Sequence, residues 1–201
     1  MIVFKLNKKE QSAFCRLLFL FLLGLLLPFF LTAQNLINNN FKEIAIGPSI
    51  IHEKLPEGYN YTPLFFTARF QVYQFKSAKK SHFKVFAEPQ FVLNNAPTPF
   101  PTTYEFGVNL GFQYWLPLSD KNALSFSIGA GPHYLSLETS IQASGFIFSD
   151  NFEIGYYQML GARLGFSVKP RFRHISNAGF LSPNIGIDNL FLMLGVFWKG
   201  S

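Results

Sequence analysis

"YEFGVNLGFQYWL", residues 104–116, is the stretch whose reading decides the fold. Tyr104, Phe106, Val108, Leu110, Phe112, Tyr114 and Leu116 share one parity. Glu105, Gly107, Asn109, Gly111 and Gln113 share the other, and Trp115 alone departs from the pattern. Side chains alternate across a strand with a period of two, so this is a β-strand with one large apolar face. A barrel made for water turns its greasy face inward and its polar face out. Here the polar face is small or charged, which suits a narrow lumen, while the aromatic face suits acyl chains.

The same alternation recurs along the chain. "LFFTARFQVYQF" (64–75) sets Leu64, Phe66, Ala68, Phe70 and Val72 opposite Thr67, Arg69 and Gln71. "FKVFAEPQFVL" (83–93) sets Phe83, Val85, Ala87, Pro89 and Phe91 opposite Lys84, Glu88 and Gln90. "LSFSIGAGP" (124–132) alternates large residues with serines and glycines, and "EIAIGPSI" (43–50) and "FEIGYYQMLGARL" (152–164) follow less cleanly. "LFLMLGVFW" (190–198) is apolar on both parities and gives no facing. With a strand through 171–177 these make eight, many near the 9–11 residues that a tilted membrane strand needs. Glu43, Arg69, Glu88, Glu105, Arg163, Arg171 and Arg173 are the candidates for ion pairs in the lumen. Closure would satisfy every backbone group, as hydrocarbon demands.

Connections point the same way. "KSAKKS" (76–81) and "PLSDKN" (117–122) are short; "HEKLPEGYNYTP", "NNAPTPFPTT", "ETSIQASGFIFSD" and "NAGFLSPNIGIDN" are long and alternate with them. Outer-membrane barrels pair short periplasmic turns with longer outer loops in this way. The turn between strands 6 and 7 is placed near Gly165. The expected fold is all-β: an eight-stranded antiparallel transmembrane barrel over 34–201, with a soluble lipocalin-like barrel as the alternative.

Residues 1–33 read as a cleaved signal peptide. Lys5, Lys8, Lys9 and Arg16 precede the apolar run "LLFLFLLGLLLPFFL" (17–31), and Ala33 offers a small residue before the cut. The run is broken by Pro28 and is shorter than the roughly 20 residues of a spanning helix. Cys15, the single cysteine, leaves with it, which excludes disulfides and cysteine metal sites from the mature chain. The signal also accounts for half of the net charge of +6, so nucleic-acid binding gains no support.

"RFRHISNAGF" (171–180) carries the chemistry. Arg171, Arg173 and Asn177 share the lumen chemistry of the other strands, so Phe172, His174 and Ser176 face outward. Strand 7 should run away from the periplasm, placing His174 and Ser176 level with the outer leaflet. Polar side chains turned towards lipid are costly at depth and cheaper near the interface, and His-x-Ser alone is equally an interfacial pair. His52, His82 and His133 have no ligand-like spacing and read as interface or loop residues.

"RFRHISNAG" followed by "PNIGID" resembles the active-site segment of the lipid A 3-O-deacylases, the PagL-type outer-membrane barrels. The resemblance covers residues 171–188. It implies an outer-membrane esterase acting on the 3-position acyl chain of lipid A, with Ser176 as nucleophile and His174 as general base. Asp188 stands where the family has a glutamate; it is one methylene shorter, which puts its reach to His174 in question. Asn177, Gly179 and Asn184 fall on family positions. Asn184 and the Gly179 amide are the implied oxyanion donors, and Asn177, inward by parity, would orient the strand end. Phe172 and Phe180 are candidate walls of a substrate groove. No metal or organic cofactor is expected, lipopolysaccharide is the expected partner, nucleic acid is not, and homodimerisation is left open. The competing reading is a catalytically silent structural or adhesive barrel, for which Asp188 is the argument.

Overall fold

A computed structural model describes residues 40–75 and 82–199. The signal-peptide reading falls on residues 1–33, outside the described residues. Eight strands run in chain order: β1 Phe41–His52, β2 Leu64–Gln74, β3 Phe83–Asn94, β4 Thr103–Pro117, β5 Asn122–Leu135, β6 Gly145–Met159, β7 Leu164–Ser176 and β8 Ile187–Lys199. Each pairs antiparallel with the next, and β8 closes on β1. Closure leaves no free sheet edge. One end carries the short connections at 118–121 and 160–163; the other carries the long ones at 53–63, 95–102, 136–144 and 177–186.

The alternation seen in the sequence becomes inside and outside. On β4 Glu105, Asn109 and Gln113 are buried in the lumen, whereas Phe106, Leu110 and Phe112 are exposed on the outer wall. The lumen is layered. At the short-turn end, rings of Phe41, Trp115, Tyr157 and Phe197 stack into a plug. The middle is a charged belt: Arg69 bonds Glu88 at 2.7 Å and Glu153 at 2.9 Å, and Arg171 bonds Glu88 at 2.8 Å and Glu153 at 2.5 Å. Lys169 joins at 2.8 Å from Glu43. Towards the long-loop end Glu105 binds Arg173, and His133 at 2.5 Å. Above it Leu55, Tyr59, Tyr61, Leu135, Leu137, Ile147, Ile175 and Ile187 form an apolar plug under the loops.

Several expectations are corrected. Arg163 is not a lumen residue but lies exposed in the 160–163 turn, which also replaces the turn expected near Gly165. His133 is not at an interface or in a loop: it is enclosed in the lumen between Glu105 and Asn109. Residues 145–150, expected in a loop, begin β6, and Ile187–Asn189 begin β8. In both cases the inward residue near the end is an isoleucine of the outer plug, Ile147 or Ile187, so the small-or-charged rule for lumen positions fails there. The facing of β8 is now fixed: Ile187, Asn189, Phe191, Met193 and Phe197 point in, and Asp188, Leu192, Leu194 and Val196 point out.

Candidate active site

Strand β7 alternates as its sequence requires, with Lys169, Arg171 and Arg173 fully buried and Phe172 exposed. His174 and Ser176 therefore stand on the outer wall near the long-loop end. Burying Arg171 and Arg173 in the ion-pair belt fixes this parity: a one-residue slip would place two guanidinium groups on the apolar face.

Asp188 is the register partner of His174 across the β7–β8 ladder. Directly opposed side chains have Cβ atoms about 4.5–5.5 Å apart, within reach of a short acid. The imidazole Nδ1 lies 2.7 Å from the Asp188 Oδ1. A carboxylate only accepts, so Nδ1 carries the hydrogen, and in the neutral ring this leaves Nε2 with its lone pair. Among the described residues neither Nε2 nor the Ser176 hydroxyl has a hydrogen-bond partner. The Asp188 amide donates to Glu53 Oε2 at 3.1 Å, tying the start of β8 to the first long loop.

Sequence reasoning missed Asp150. It is the register partner of His174 on the other side, in β6, and is exposed on the same wall. Its signal was present: among Phe146, Phe148, Phe152 and Ile154 it is the one acid on the outward parity of β6.

After Ser176 the chain makes a tight turn. Ala178 (φ 53°) and Gly179 (φ 81°) are both left-handed, and the Phe180 amide donates to the Asn177 carbonyl at 3.1 Å. Two positive φ values between such a bond make a type I′ turn, unusual for alanine at its first centre. Asn177 is buried and holds this turn. Its Oδ1 accepts from the Gly179 amide at 3.0 Å, and its Nδ2 donates to the Leu181 carbonyl at 2.9 Å. The Asn177 amide donates to Asn184 Oδ1 at 2.6 Å, which fixes the orientation of that side-chain amide and leaves its Nδ2 without a partner among the described residues. Among the described residues the Ala178 amide has none either, whereas the Gly179 amide is engaged.

The two phenylalanines separate. Phe180 packs on Phe146 and Phe148, beside Ser176, whose register partner is Phe148. Phe172 lines an apolar groove of about 470 Å³ on the outer wall of β4–β7, together with Leu110, Ile128, Ala130, Asp150 and Phe152. A larger groove of about 600 Å³ on β1–β3 and β8 is lined by no titratable side chain and lies apart from the histidine. Among the described residues no three His, Cys, Asp or Glu side chains are placed to hold a metal ion.

A family model described as lipid A 3-O-deacylase (PagL) matches residues 58–197. The chain belongs to the PagL family. The match spans β2–β8 and includes His174, Ser176 and Asp188. The crystal structure of the outer membrane enzyme PagL superposes with a TM-score of 0.59 at 17% identity, covering 77% of this chain and 97% of that one. Neisserial surface protein A superposes with a TM-score of 0.50 at 10% identity, covering 80% of this chain and 96% of that one. No curated protein sequence matches significantly. Membership in the PagL family and the closed barrel make the chain an outer-membrane β-barrel; at these identities the superpositions speak to fold alone.

Proposed function

We propose that the protein is an outer-membrane esterase that hydrolyses the ester-linked acyl chain at the 3-position of lipid A. The observation that carries this reading is the Nδ1–Asp188 bond on the outer wall with Ser176 beside it. An acid on Nδ1 holds the tautomer whose Nε2 can take the serine proton, and stabilises the imidazolium that follows. Ser176 Oγ then attacks the ester carbonyl, His174 returns the proton to the leaving sugar oxygen, and water completes the cycle by the same base. The oxyanion is assigned to Asn184 Nδ2, with the Ala178 amide as second donor; the Gly179 amide serves the turn instead. Preorganised donors in a site short of water are worth far more than in bulk. The groove beside Phe172 and the aromatic patch at Phe180 are assigned as acyl contacts. The long loops then face outward and the site works at the outer leaflet.

Mass spectrometry of lipid A from cells making the protein tests the reading. Wild type should remove one acyl chain, and Ser176→Ala and His174→Ala should not. Intact lipid A with the folded wild type in the membrane would favour the silent-barrel reading instead.

A further inference from the structure

Two residues apart on one strand, His174 and Ser176 have Cα atoms roughly 6.5–7 Å from one another, so the ring has to lean along the strand to meet the hydroxyl. The space it leans into is supplied by Gly186, the last residue of the connection before β8. The last pair of the β7–β8 ladder is Ile175 with Ile187, and Gly186 directly precedes Ile187 in the chain. Gly186 is buried and left-handed (φ 90°). A Cβ on it would lie 2.5 Å from Cε1 and 3.0 Å from Nε2 of His174, and 3.0 Å from the Ile175 carbonyl oxygen. Carbon atoms in contact sit about 3.5–4 Å apart, so the ring would have to retreat by about 1 Å.

We propose that Gly186 is a positioning residue: its missing side chain is the slot that receives the Cε1–Nε2 edge of the His174 ring. Asp188 on β8 bonds the Nδ1 edge and Gly186, just before β8, admits the Nε2 edge, so two residues two apart in the chain set the ring. The inference rests on the esterase reading for its kinetic consequence, but not for its geometry.

The test compares Gly186→Ala with Gly58→Ala. Gly58 has nearly the same φ (93°), with nothing within 4 Å of where a Cβ would stand, so it carries the left-handed strain without the clash. Should the alanine variant at 186 fail to fold, Gly186→Asn brings the same Cβ on a residue that tolerates the left-handed region. With purified protein and lipid A, Gly186→Ala should lower kcat about 100-fold, the usual consequence of a 1 Å misplacement, with KM changed less than about threefold. Gly58→Ala should match wild type. Independently of activity, ¹⁵N spectra of histidine-labelled protein, with the His174 signal assigned through His174→Ala, should show a protonated Nδ1 in wild type and Gly58→Ala. That signal should shift or broaden in the Gly186 variant. An unchanged His174 signal in a folded Gly186 variant overturns the proposal, as does unchanged kcat. Loss of wild-type activity with a displaced ring in Gly186→Ala would sink the esterase reading and leave the slot standing.

Discussion

His174 and Asp188 occupy directly opposed positions of β7 and β8, and 2.7 Å separates Nδ1 from Oδ1. The shorter acid reaches because the register brings it face to face with the ring. Asp188→Asn, which can present the wrong hydrogen-bonding partner to Nδ1, should lower kcat by about 10²–10⁴-fold with little change in fold. Release of the acyl chain from purified lipid A measures it.

Because Asp188 is already in bonding contact, an extra methylene has nowhere useful to go. Asp188→Glu should give no gain in kcat over wild type in the same assay. A faster enzyme would mean that the aspartate is a strained substitute.

Asn184 offers a way to separate donor from scaffold. Asn184→Asp keeps an oxygen for the Asn177 amide but removes the Nδ2 donor. The loss expected for one oxyanion donor is about 10²–10³ in kcat. Asn184→Ala should cost at least as much and also loosen residues 177–184, read by hydrogen exchange.

In the charged belt Arg171 bonds both Glu88 and Glu153. Arg171→Met leaves two buried carboxylates short of a partner and should destabilise the barrel by about 3–5 kcal/mol, followed by urea unfolding in detergent. Arg163→Met, at the exposed turn, should stay within about 0.5 kcal/mol of wild type.

The first and third long loops are latched by the Ser140 amide, which donates to Glu57 Oε1 at 2.7 Å. That bond holds the Glu57 carboxyl below its usual 4.5, against a smaller effect of burial. A carboxyl lowered on folding stabilises above its unfolded value, and the contribution is lost as pH falls through the lowered one. Protection of the Ser140 amide against exchange should therefore drop in acid. In Glu57→Gln it should not depend on pH over that range.

Much of this was legible because lipid and lumen impose opposite chemistries on alternate residues. Glu105, Asn109 and Gln113 on one parity of β4, with Phe106, Leu110 and Phe112 on the other, are enough to orient a strand. The rule fails where the lumen is greasy. Phe191, Met193 and Phe197 point inward on β8 as Leu192, Leu194 and Val196 point outward, so no period is visible. The outward pair on β7 was readable from its neighbours, since Arg171 and Arg173 claim the inside. The turn after Ser176 was not: the left-handed Ala178 and the capture of the Gly179 amide by Asn177 belong to a set of bonds from Asn177 to residues two to seven positions further on. Asp150 could have been found by asking which polar residue interrupts an apolar parity.

The layered interior has an electrical consequence. A passage for ions requires an unbroken column of water, and here aromatic rings close one end, crossed guanidinium–carboxylate bonds fill the waist, and aliphatic and tyrosine side chains close the other. The cylinder is a filled post, and the His174–Asp188 pair stands on its flank. Planar-bilayer recordings should stay flat, and a cell could carry many copies without leaking.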